Sequence, residues 1–167
     1  MDGDPSMWRV ELWHPLVVHF PIALLLVGTA LRLLGMVCRA RSLSFLVPAG
    51  RVLLGLGTLS AWAAVYTGTL ADAEVARTLC DPTVVETHEN LAYATAGVFT
   101  AAVMVDGVLW YSVTAPPIMR RVLAVALVGC VLMGSVGLAY VGHLGAKLVY
   151  EQAAAVHVPA NDCAAFE

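Results

Sequence analysis

Charge is scarce in this chain: only 13% of its 167 residues are Asp, Glu, Lys or Arg, and they form no basic cluster. With a net charge of −3 that excludes the electrostatic footprint of a nucleic-acid binder, so no nucleic-acid partner is expected. The four cysteines show no zinc-ligand spacing, and no Cys-x-x-Cys-His is present to attach a c-type haem. The opening Met1-Asp2-Gly3-Asp4-Pro5 lacks the positive region of a secretory signal, so the first apolar run is expected to stay as a helix. No internal repeat, soluble module, nucleophile or acid–base pair stands out. The expectation is a non-catalytic subunit rather than an enzyme.

What is present is hydrocarbon. At 60% hydrophobic residues and a mean hydropathy of +0.81, the chain is too apolar for a soluble domain of its size. A bilayer core takes roughly 20 apolar residues per helix. The runs predict an all-α integral membrane protein, a four-transmembrane-helix up-down bundle forming one domain over 1–167, with helices at 14–37, 48–71, 82–113 and 121–149. Trp8 and Trp13 suit an interfacial belt, and Asp81-Pro82 suits the start of the third helix. Arg39, Arg41 and Arg51 flank the first loop and Arg120 and Arg121 the third. The second loop carries Asp72, Glu74, Asp81 and Glu86 around Arg77. The positive-inside rule makes the first and third loops cytoplasmic and both termini extracytoplasmic. Cys80 and Cys163 then share the oxidising side, where a disulfide between them is an expectation beside two free thiols. Helices two (Gly55, Gly57, Ser60, Ala61, Ala63, Ala64, Gly68) and four (Gly129, Gly134, Gly137, Gly142, Gly145) are rich in small residues and are expected to pack in the interior.

Against this background the histidines stand out, because a polar ring at membrane depth costs free energy unless it is bonded or ligated. His14 and His19 open the first run, while His88, His143 and His157 fall toward the same side. His19 lies about 7.5 Å deeper than His14, with its ring turned about 140° away, unless Pro15 and Pro21 distort the turn. His19, His88 and His143 reach similar depth, each with an alanine one turn further in: Ala23, Ala92 and Ala139. Two imidazoles from facing helices are the usual protein contribution to a membrane b-type haem. Helices one and three are diagonal in an up-down bundle, so His19 and His88 are the expected axial ligands. His143 is then a neighbouring contact, and His14 or His143 an alternate ligand. Arg9, Arg77 and Lys147 are the cations available for propionates. A copper or zinc site built from several histidines competes with haem. So does a cofactor-free arrangement in which the rings bond to Glu89, Tyr93, Tyr140 or carbonyls freed by the prolines. Asp106 and Arg32 each lie 18 residues beyond a histidine, about 27 Å down their helices, which predicts an ion pair with Arg51 as second partner.

His14-Pro15-Leu16-Val17-Val18-His19-Phe20-Pro21, Thr67-Gly68, His88-Glu89 and Gly142-His143-Leu144-Gly145-Ala146-Lys147-Leu148-Val149-Tyr150 together resemble the bacterial four-helix membrane family named domain of unknown function 2231. The resemblance spans nearly the whole chain. It departs at Gln152-Ala153-Ala154-Ala155-Val156, where the family has a glycine-containing stretch. It implies a multi-pass protein of the bacterial inner membrane, with His14, His19, His88 and His143 as site residues. Family members resemble membrane cytochromes, and some are fused to c-type cytochrome domains. The implied role is electron transfer beside other membrane subunits and an extracytoplasmic carrier such as a c-type cytochrome, with a cofactor-free structural subunit as the alternative.

Overall fold

Glycines set the spacing of the first two spans. A side-chain carbon at Gly50 would sit 2.7 Å from the Arg32 backbone nitrogen, one at Gly28 would sit 2.9 Å from that of Leu54, and one at Gly57 would strike Leu25. Gly35 meets Val47, and Gly68 meets His14. The partners descend one helix as they climb the other, so the two spans form an antiparallel pair in near backbone contact. This is how small residues drive helix association in lipid.

The computed structural model describes residues 8–38, 40–77, 79, 81–112 and 114–156. After a 3-10 turn at Val10–Leu12 come α1 (Trp13–Val17) and α2 (His19–Val37), which together make the first span. They break at Val18 because Pro21 has no N–H for the Val17 carbonyl. A second 3-10 turn, Arg41–Leu43, leads to α3 (Leu46–Val75). Then come α4 (Thr83–Tyr111) and α5 (Pro117–Gln152). All four spans are long and apolar enough to cross a membrane, as the sequence predicts. Large apolar side chains such as Leu16, Leu59, Val125 and Val136 face outward, which suits lipid and not water.

The boundaries differ from the sequence reading in ways the caps explain. α3 starts two residues before Pro48, leaving that proline in the first turn. α5 starts at Pro117, where a missing N–H removes no helical bond. Pro82 is the cap residue of α4 rather than its first residue. Asp81 before it accepts bonds from the Thr83 N–H (3.0 Å) and hydroxyl (2.6 Å), which hold its carboxyl below the usual carboxylate range. That contribution is present at neutral pH and fades as acid protonates Asp81. α5 ends with Ala153 in the left-handed region (φ 53°). The Ala153 and Ala154 N–H groups bond the Val149 and Leu148 carbonyls, a closure that glycine usually performs. Ala155 is also left-handed (φ 59°), so alanines hold the glycine-like backbone where the sequence departs from the resembled pattern.

α2 packs most extensively on α3 and α4 on α5, so the bundle is two helix pairs. The pairs meet mainly between α3 and α4, where the Trp62 indole N–H donates to the Thr100 hydroxyl (3.0 Å). Leu25, Leu54, Phe99, Ala102, Leu127 and Val131 form the core. The α2–α5 seam is the least closely packed side. The small residues of α3 and α5 divide between two faces. Gly57, Gly134, Gly137 and Gly145 pack against neighbours, whereas Gly55, Gly129 and Gly142 face open space. Those two helices are therefore not wholly interior. Among the described residues Cys38 and Cys130 are free thiols; Cys80, Cys163 and His157 lie outside them, and so does the expected disulfide.

Candidate functional site

His14 enters from the first turn of α1 and His88 from the second turn of α4, two elements on opposite sides of the bundle. Their ring centres lie 6.1 Å apart with the planes perpendicular. Each ring is held from behind by the neighbouring helix. His14 Nδ1 is 2.8 Å from the Ala64 carbonyl on α3, and His88 Nδ1 is 3.1 Å from the Val141 carbonyl on α5. A carbonyl only accepts, so in both rings Nδ1 carries the proton and donates. Nε2 keeps its lone pair.

Two glycines make room for this pair. A side-chain carbon at Gly68 would lie 3.1 Å from His14 Nδ1, and one at Gly145 would lie 3.3 Å from His88 Cε1. The motifs Thr67-Gly68 and Gly142-His143-Leu144-Gly145 thus supply seats for imidazoles that stand elsewhere in the sequence. The acceptor carbonyls of Ala64 and Val141 were not legible in the sequence, and neither is freed by a proline.

The other nominated residues fall around this pair rather than in it. His19 is exposed at the edge of the cavity below the two rings, so the ring facing His88 is His14 and not His19. The cause is the helix phase: with the rings 140° apart around the axis, only one can turn toward α4. His143 points outward and stacks on Tyr140 at 6.4 Å. Arg9 pairs with Glu11 (3.2 Å), Lys147 pairs with Glu151 (3.7 Å), and Arg77 is exposed. Arg9 Nε is nonetheless sealed from solvent with no acceptor among the described residues. No group of three or more His, Cys, Asp and Glu side chains is placed to hold a metal ion among those residues, so no multi-histidine copper or zinc site is assembled there.

The rings stand between two cavities. The upper one, about 120 Å³, is lined by Glu11, Asp72 and Glu89 among mainly apolar residues. The lower one, about 440 Å³, is almost wholly apolar and runs down past Ala92 to Thr95 and Phe99. That volume falls in the range of small-molecule sites.

At the far end of the bundle the expected ion pair is a triad. Asp106 accepts from Arg32 Nη2 (2.6 Å) and Nε (3.0 Å) and from Arg51 Nε (2.9 Å). Arg51 also lies over the Trp110 ring at 4.7 Å. The Arg32 and Asp106 side chains are 5% and 2% exposed, so among the described residues their charges have only each other and Arg51. Among the described residues no acidic or imidazole side chain is bonded between the triad and the histidines. It holds α2, α3 and α4 together.

No curated protein and no solved structure matches this chain. Over residues 13–158 it matches the family model described as a predicted membrane protein, DUF2231, and the chain belongs to that family.

Proposed function

We propose that the chain is an electron-transfer subunit of the membrane in which His14 and His88 are the axial ligands of a b-type haem. The observation that carries this reading is the 6.1 Å between ring centres. Two imidazoles bound on opposite sides of one ion, at metal–nitrogen distances of about 2.0–2.1 Å, hold their centres roughly 6 Å apart. Both rings already have the second bond that orients such a ligand, an Nδ1–H given to a carbonyl. Gly68 and Gly145 leave space beside them. Haem, when bound, supplies a one-electron redox centre. His14 and His88 would hold its iron, and the apolar Val65 and Ala92 beside the rings would screen it from water.

The histidine end is the extracytoplasmic end in this reading, with both termini outside and the arginine-rich loops in the cytoplasm of a bacterial inner membrane. A single centre near one face does not carry an electron across the bilayer. Its partners are a second membrane subunit and an extracytoplasmic carrier such as a c-type cytochrome. Reporter fusions at Ser42 and Asp162 test the orientation: an exported reporter is active at Asp162 and silent at Ser42, and the reverse pattern overturns it.

The absorption spectrum of protein purified from haem-sufficient cells tests the cofactor. A reduced b-type band is expected, lost in His14→Ala and in His88→Ala and kept in His19→Ala and His143→Ala. A band that survives loss of His14 but not of His19 moves the ligand pair. The absence of any band favours the second reading, a cofactor-free structural subunit. The same two Nδ1 bonds speak for that reading, since they tie α1 to α3 and α4 to α5.

A further inference from the structure

The lower cavity is lined by Thr95 and His19, polar groups with no hydrogen-bond partner among the described residues. Every serine and threonine hydroxyl within α3 to α5 donates to a carbonyl or carboxyl oxygen or is bonded to a neighbour, with one exception among the described residues. That exception is Thr95. It is only 7% exposed, it stands on the cavity wall, and its oxygen is not among the sealed polar atoms. Gly137 makes the room for it: a side-chain carbon there would lie 2.7 Å from the Thr95 hydroxyl oxygen. A back-bond to its own helix was available and is not made. The second group is His19, which lines the same cavity from α2 and has no hydrogen-bond partner among the described residues.

These two groups stand at similar depth. His19 is five residues below His14 and Thr95 seven below His88, which at the helical rise is about 7.5 Å and about 10.5 Å. The rings of His14 and His88 are 6.1 Å apart. Thr95 lines the deep part of the cavity from α4, and His19 lines it from α2, beside the α2–α5 seam. That seam is the loosely packed side of the bundle, and its rim includes Ile22, Val149 and Tyr150, all exposed to the surroundings of the helices. The opening faces lipid.

We propose that the lower cavity binds the headgroup of a membrane quinone, with Thr95 and His19 on its two oxygens and the isoprenoid tail leaving through the α2–α5 seam. The cavity selects this class on three counts. Its access is from lipid, which favours a lipid-soluble ligand. Its walls carry no carboxylate, lysine or arginine, so a charged headgroup finds no counter-ion. Lastly, a hydroxyl and a neutral imidazole each donate and accept, so they bond the carbonyls of a quinone and equally the hydroxyls of the quinol. A hydrocarbon chain alone would leave both groups unsatisfied.

His14 and His88 also line this cavity, so the quinone site adjoins the pair of the haem reading; it is argued from Thr95 and His19, which make no described bond to either ring. Binding is measured on the purified full chain in nanodiscs with ubiquinone-1 and menaquinone-1 as probes and farnesol as the tail-only control. Saturable binding of at least one quinone and none of farnesol is expected. Thr95→Val, which keeps the shape and removes the hydroxyl, weakens binding roughly fivefold with an unchanged melting temperature. His19→Phe also weakens it. No saturable quinone binding, equal binding of farnesol, or undiminished affinity in Thr95→Val overturns the proposal. Haem is read from the spectrum of the same sample, so a missing b-type band defeats the cofactor reading without touching the quinone result.

Discussion

Asp106→Leu is expected to destroy the stability of the bundle, giving little folded, monodisperse protein after extraction. The substitution leaves Arg32 buried at 5% side-chain exposure with no counter-charge, and it strips Arg51 of its only acidic partner among the described residues. Removing one member of a buried pair costs about 3–5 kcal/mol. Arg51→Leu is milder, because that side chain is a quarter exposed and Asp106 keeps the two bonds from Arg32. The decisive variant is the double change Arg32→Met with Asp106→Leu. Apolar residues in place of a buried pair are close to neutral, so most of the loss is recovered. Thermal unfolding in detergent measures all three proteins. An Asp106→Leu protein that melts with the wild type would remove the triad as the support of that end.

Gly50→Ala carries the next largest effect. The added carbon would stand 2.7 Å from the Arg32 nitrogen and 3.0 Å from its Cα, both backbone atoms of a helix that cannot yield locally. α2 and α3 must part, which costs about 1–3 kcal/mol as overpacking, and the shift also carries Arg32 away from Asp106. Gly55→Ala and Gly129→Ala meet nothing within 4 Å. They are expected to hold or raise the melting temperature, since alanine is the better helix former by about 1 kcal/mol. Equal melting of Gly50→Ala and Gly55→Ala would show that the α2–α3 contact is not set by the glycine.

The contrast between Gly50 and Gly55 marks where sequence reasoning stops in this protein. Four spans are legible because length and hydropathy decide them, and the Arg32–Asp106 pair is legible because charges at equal depth must find each other. Which face of each helix turns inward is not. In a soluble helix the polar face declares itself, whereas here core and lipid are both apolar and the pattern carries almost no phase. Gly55 and Gly57 look alike in the sequence, yet one faces open space and the other receives Leu25.

The same loss of phase explains the histidines. His19 has the more favourable depth by residue count, but depth does not fix direction, and the break at Val18 interrupts the turn between the two rings. The signal for His14 was Gly68, whose position within a turn of Ala64 on α3 leaves the hollow the ring occupies. Thr95 had no signal at all. A threonine in an apolar helix normally bonds its own backbone, and only coordinates reveal one that does not.

The first span is fastened at both of its ends. Arg32 ties it to Asp106 on α4, and 18 residues away, about 27 Å along the axis, His14 ties it to the Ala64 carbonyl on α3. A tilt that kept one fastening would stretch the other, so the charged end and the imidazole end of the molecule keep their separation together.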